Sequence, residues 1–124
     1  MKKLLWASAL MTLFVAAPSH AGTQYEYGVC ASYSDGSGYC GGTFLGFRNY
    51  SDPTTYAGFH TSSSGTNAFL SNWNGSAHTC LASSAVVGLW PQLQTARGYF
   101  YVHWNASGIC DSVAFTNGSS YANF

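Results

Sequence analysis

The sequence predicts an all-β domain: a small antiparallel sandwich or partly open barrel of about six to eight strands, with one short helix near residues 90–97. Three observations predict it. Short runs of alternating or β-branched and aromatic residues recur along the chain. Turn signals separate them: "DGSG" at 35–38, "SDP" at 51–53, "SSSGT" at 62–66, Asn74-Gly75 and "NASG" at 105–108. Four cysteines, Cys30, Cys40, Cys80 and Cys110, all follow residue 21, the pattern of a small exported scaffold with two disulfides.

The first 21 residues are predicted to be a secretory signal peptide. Lys2 and Lys3 open it, Leu4 to Ala17 is apolar, and Ser19 and Ala21 are the small residues before the cut. The apolar run is shorter than the ~20 residues a membrane-spanning helix needs, so a cleaved leader is expected rather than a span. Gly22, not a cysteine, follows the cut, so no lipid anchor is expected. Residues 22–124 are then one disulfide-stabilised β domain, secreted or periplasmic. A chain of this size buries only roughly 65% of its unfolded surface, which makes the cross-links valuable.

The elements follow in order. In "TQYEYGVCASY", Tyr25, Tyr27, Val29, Ala31 and Tyr33 alternate onto one strand face. "YCGGTFLGFRNY", 39–50, reads as a second strand with Leu45 and Phe47 on one face and Phe44 on the other. "TTYAGFHT" is a third strand. "NAFLSNW" and "SAHTCLA" flank Asn74-Gly75, the strongest hairpin signal in the chain. Residues 90–97 carry Pro91 near their start and Gly98 just past their end, which fits a short helix, with a structured loop as the alternative. "YFYVHW" and "ICDSVAF" form a last hairpin around "NASG".

That last hairpin sorts its residues by register. A three-residue loop with Gly108 left-handed puts Trp104 opposite Cys110, His103 opposite Asp111 and Tyr101 opposite Val113. Phe100, Val102 and Trp104 then face the core with Cys110, Ser112 and Ala114. Tyr99, Tyr101 and His103 face outward with Asp111, Val113 and Phe115. A one-residue change in the loop would re-sort the faces.

The cysteines can pair in three ways. A tight "GSG" loop would separate Cys30 and Cys40 by about 13 Å along the strand, against a Cα limit of about 7 Å for a disulfide. Either Cys30 bonds elsewhere or the loop bows out. Low closure cost slightly favours Cys30–Cys40 with Cys80–Cys110.

Charge narrows the partners. Both lysines lie in the leader, leaving Arg48 and Arg97 against Glu26, Asp35, Asp52 and Asp111. Nucleic acid is not expected as a partner, because too few cations remain to displace its counterions. Catalytic and cofactor motifs are absent: no GxSxG elbow, HExxH pair, P-loop or dinucleotide fingerprint. No cofactor is expected. His60, His78 and His103 lack metal-ligand spacing and read as partly buried, hydrogen-bonded strand residues, so no metal site is expected. Asn49, Asn74, Asn105 and Asn117 each begin an N-x-S and read as asparagine-rich turns.

What remains is aromatic. Nine tyrosines, eight phenylalanines and four tryptophans, in a chain with 6% charged residues, are more rings than a small core easily hides. With Ser, Gly and Asn they are the residues of binding loops. The expectation is an exported, non-enzymatic binding protein that holds a carbohydrate or a partner protein, an enzyme inhibitor being one such case. Its candidate binding residues are Tyr99, Tyr101, His103, Asp111 and Trp73. The alternatives are a small secreted hydrolase, such as a nuclease using Glu26 with a histidine and an arginine, and a self-associating envelope protein whose lysine-free edge strands lack guard charges. An enzyme is the weaker reading.

Overall fold

The structure, a computed structural model, describes residues 25–118 and residue 120. The predicted leader and its cleavage site lie outside the described residues. Seven strands form one mixed sheet: β1 (Gly28–Ser32), β2 (Gly38–Thr43), β3 (Tyr56–Thr61), β4 (Asn67–Trp73), β5 (Ser76–Ala82), β6 (Tyr99–Trp104) and β7 (Ile109–Thr116). Their order across the sheet is β1-β2-β6-β7-β5-β4-β3. Two short helices, α1 (Phe44–Arg48) and α2 (Trp90–Thr95), accompany it.

The sheet is all-β and does not close into a barrel; it curls until its two halves face each other, as in a sandwich. Ser71 of β4 shows this directly. Its hydroxyl lies 3.3 Å from Cys40 Sγ and 3.7 Å from Cys30 Sγ, on strands at the far end of the order. Between the halves lies an aromatic core. Phe100 meets Phe44, Phe47, Phe59 and Phe69 at centroid distances from 4.7 to 5.9 Å. Trp90 closes one side against Phe59, and its indole N–H donates to His60 O at 3.0 Å.

Pairing is antiparallel with one exception. Leu81 and Ala82 of β5 run parallel to Ile109 and Cys110 of β7, over two residue pairs only. This short seam joins the β1-β2-β6-β7 half to the β5-β4-β3 half. The antiparallel expectation therefore holds within each half and is corrected at the seam.

Three local expectations change. Residues 44–48 form a helix, not a continued strand. Thr43 caps it by accepting Gly46 N–H at 2.9 Å. The helix turns Phe44 and Phe47, three apart, onto the same side, where both reach Phe100. A strand would have sent them to opposite faces.

The first hairpin loop does bow out. Ser32 pairs with Gly38, and Asp35 organises the intervening residues by accepting Ser37 N–H at 2.9 Å and Ser37 O–H at 2.6 Å. Cys30 then lies opposite Cys40 and bonds to it, while Cys80 bonds to Cys110.

The last hairpin carries a bulge. Asn105 and Gly108 make the expected turn, and Trp104 pairs with Cys110. His103 then pairs with Ser112 rather than Asp111, so Asp111 is the extra residue. Beyond it Val102 meets Val113 and Phe100 meets Phe115. Val113 and Phe115 pack against the core, and Ser112 and Ala114 go to water, the reverse of the regular register.

Helix α2 matches the expected span, with Pro91 in its first turn and Trp90 and Leu93 buried. Asn74-Gly75 makes the two-residue β4–β5 turn, both residues at positive φ. The other asparagines of the N-x-S triplets are also structural. Asn49 ends α1, Asn105 Oδ1 accepts Ser107 and Ile109 N–H, and Asn117 Oδ1 accepts Arg97 and Gly98 N–H.

Candidate functional site

The rings divide by type. Phe47, Phe69, Phe100, Trp90 and Trp104 are buried, whereas Tyr25, Tyr27, Tyr33, Tyr50 and Tyr56 are exposed. Tyr39, Tyr99 and Tyr101 are half-buried. A phenol keeps its body on apolar surface and its hydroxyl in water, so tyrosines collect where the sheet faces solvent.

Most of them meet on one surface, the outer face of β1, β2 and β6. Tyr39 stacks with Tyr101 at 5.9 Å and an interplanar angle of 25°, and with Tyr33 at 6.4 Å. Tyr27 approaches Tyr99 at 6.0 Å. Gly41 lies opposite Tyr101, and a methyl group there would come within 3.3 Å of both the Tyr101 ring and the Tyr99 hydroxyl. The glycine is what lets the rings lie low across the strands.

His103, opposite Tyr39, continues the face. Its Nδ1 lies 2.6 Å from Asp111 Oδ1, with the two side chains 33% and 41% exposed. A carboxylate only accepts, so Nδ1 carries the proton and Nε2 is left for another partner. The bulge swings Asp111 into this position although it no longer pairs with His103 in the ladder. Burial pushes the Tyr101 phenol above its ordinary range, with Tyr33, Tyr39 and Asp111 adding to the effect. Tyr101 is thus a neutral donor and acceptor at any physiological pH.

Of the five sequence-predicted residues, Tyr99, Tyr101, His103 and Asp111 share this face. Trp73 does not. It sits at the end of β4, packed on Phe47 at 5.3 Å and Tyr50 at 4.3 Å. Tyr27 and Tyr33, which flank β1, and Tyr39 of β2 join the face and were not singled out from sequence. Tyr27 and Tyr33 already shared a strand face; what no local pattern carries is that β6 docks beside β2.

The histidines stay apart. His60 lies on edge strand β3. His78 stacks at 5.4 Å on Trp104 and lies 3.1 Å from Ser32 Oγ. Among the described residues no group of three or more His, Cys, Asp or Glu side chains could hold a metal ion. Glu26 accepts from Asn49 Nδ2 at 3.3 Å.

Burial holds His78 below the ordinary histidine pKa of 6.5. A lowered folded-state value means the unfolded chain binds the proton first. His78's share of stability is therefore complete above pH about 6.5 and is lost as pH falls toward the folded-state value. An NMR titration should show the His78 ring midpoint below that of a histidine in a short peptide; a midpoint at or above it would contradict the burial argument.

No protein-family model matches the chain, and no curated protein or solved structure matches it.

Proposed function

We propose that this is an exported, non-enzymatic binding protein that holds a carbohydrate or a partner protein on its tyrosine face. One observation carries the reading: Tyr33, Tyr39, Tyr101 and the His103–Asp111 pair lie together, partly in water, on neighbouring strands of a cross-linked sheet. Rings on a rigid sheet lose little entropy on binding, and their hydroxyls with His103 Nε2 add directional hydrogen bonds. Two disulfides fit an oxidising compartment, which supports secretion or a periplasmic location. No helix of the described residues is long and apolar enough to cross a membrane.

A glycan array and a pull-down from the native envelope identify the ligand. Tyr101→Ala should then weaken its capture by about tenfold or more, the effect of removing a central aromatic anchor. The same variant should keep its cooperative melt. Undiminished capture by folded Tyr101→Ala would remove this face from consideration.

Self-association has separate support. Edge strands β1 and β3 contain no charged residue, so nothing in them repels a second chain. Sedimentation of the purified protein decides: a monomer at all accessible concentrations rules it out.

A further inference from the structure

Among the described residues the sheet ends at β1, and the hydrogen-bond pattern there determines which backbone groups point outward. Thr43 N–H donates to Tyr27 O, and Tyr33 N–H donates to Ser37 O, both at 2.8 Å. With Cys30 opposite Cys40, the odd-numbered residues of this strand exchange bonds with β2. The 4.1 Å Cα separation of Cys30 and Cys40 is that of the alternate, non-bonded kind of pair. Gly28, Cys30 and Ser32 therefore turn their N–H and C=O groups away from β2. Among the described residues these groups have no backbone partner.

Near Cys30 and Ser32 this edge is one wall of a cleft of about 440 Å³. The other wall is the β4–β5 turn, with Trp73, Ser76 and His78. Ser32 Oγ and His78 Nδ1, 3.1 Å apart, tie the walls together.

We propose that this cleft takes an extended peptide segment of a partner protein, which adds as a further strand beside β1. Outward N–H and C=O groups recurring every second residue match the repeat of an extended chain and no other common ligand. A sugar placed there would leave evenly spaced backbone donors and acceptors unmatched. The cleft carries no Asp, Glu, Lys or Arg, and burial keeps His78 neutral, so the segment it fits is uncharged. The β4–β5 turn forms the second wall of the cleft, so an isolated segment reaches this edge more readily than the strand edge of a folded domain. Trp73 supplies apolar surface for a side chain of the incoming strand.

The site is separate from the tyrosine face, and its test is independent of that face. Nine-residue peptides are selected on the purified protein from a displayed random library and followed by amide exchange. Selected peptides should raise protection of the Cys30 and Ser32 amides by at least about tenfold, as new backbone hydrogen bonds do. N-methylation at every second peptide position should abolish binding, with the intervening positions tolerant. Ser32→Pro deletes an outward N–H and leaves the β1–β2 ladder intact; it should weaken binding by about tenfold or more. Ser32→Ala keeps that N–H and loses only the hydroxyl's contact with His78, so the loss in Ser32→Pro beyond that in Ser32→Ala is the part that reads the backbone donor. If Ser32→Pro does not fold, the N-methyl series decides alone. Three results overturn the proposal: no enrichment from the library, peptides indifferent to N-methylation, or protection that maps to Tyr101 and its neighbours instead of β1.

Discussion

Trp104→Ala should come close to unfolding the protein at room temperature. The indole is 4% exposed, and its N–H donates to Gly36 O at 3.2 Å. It stacks beside His78 and fills the space that Gly38 leaves, where even a methyl group would come within 2.5 Å of the ring. Truncation removes a large buried ring and leaves a cavity next to Cys110, its ladder partner. The expected cost is about 3–5 kcal/mol, against a total stability of roughly 5–10 kcal/mol for a domain this size. In a thermal melt that is a fall of roughly 15–30 °C. Tyr101→Ala, three residues away on the opposite face, should cost far less because its ring is already half in water. A native-like Trp104→Ala beside an unfolded Tyr101→Ala would show that the two faces of β6 are assigned the wrong way round.

Removing Cys80–Cys110 should be more damaging than removing Cys30–Cys40. The two bridges close loops of sequence separation 30 and 10. Chain-entropy scaling then assigns about 3.6 kcal/mol to the first and about 2.7 kcal/mol to the second. Placement widens the gap. Cys30 and Cys40 face each other within a hairpin whose strands are already paired over five residues. Cys80 and Cys110 span the parallel seam, where the ladder between the halves is two residue pairs long. The double variant Cys80→Ala/Cys110→Ala should therefore lose stability in denaturant and expose the β5–β7 amides to exchange. Equal losses for the two double variants would contradict the view of the seam as the weak line of the fold.

Much of this architecture was legible where the signal is local. Asn74-Gly75 demanded a two-residue hairpin and makes one. Pro91 and Gly98 bracketed a helix that runs over Trp90–Thr95. The alternation Phe100, Val102, Trp104 correctly sent three apolar side chains to the core. The misreadings share a cause. Phe44 and Phe47 fit a strand until a helical turn lets both reach the core, and Thr43 as a cap is a weak cue among so many threonines. The bulge at Asp111 adds no distinctive residue; it is selected because Val113 and Phe115 gain burial when the register slips. The candidate site was half legible for the same reason. Tyr99, Tyr101, His103 and Asp111 lie on one hairpin, whereas Tyr33 and Tyr39 reach them only through the docking of β2 on β6, a contact between residues some 60 apart. Trp73 was grouped with them by residue type alone, and type does not locate a side chain.

The bowed first loop also simplifies oxidation of the nascent chain. Four thiols have three ways to pair, and scrambled pairings would have to be undone by thiol–disulfide exchange. Here the loop lets Cys30 reach Cys40, its nearest thiol in sequence, before any distant strand arrives. Once those two are joined, Cys80 and Cys110 have only each other. Under oxidising conditions the order of closure is then set by distance along the backbone, Cys30–Cys40 before Cys80–Cys110.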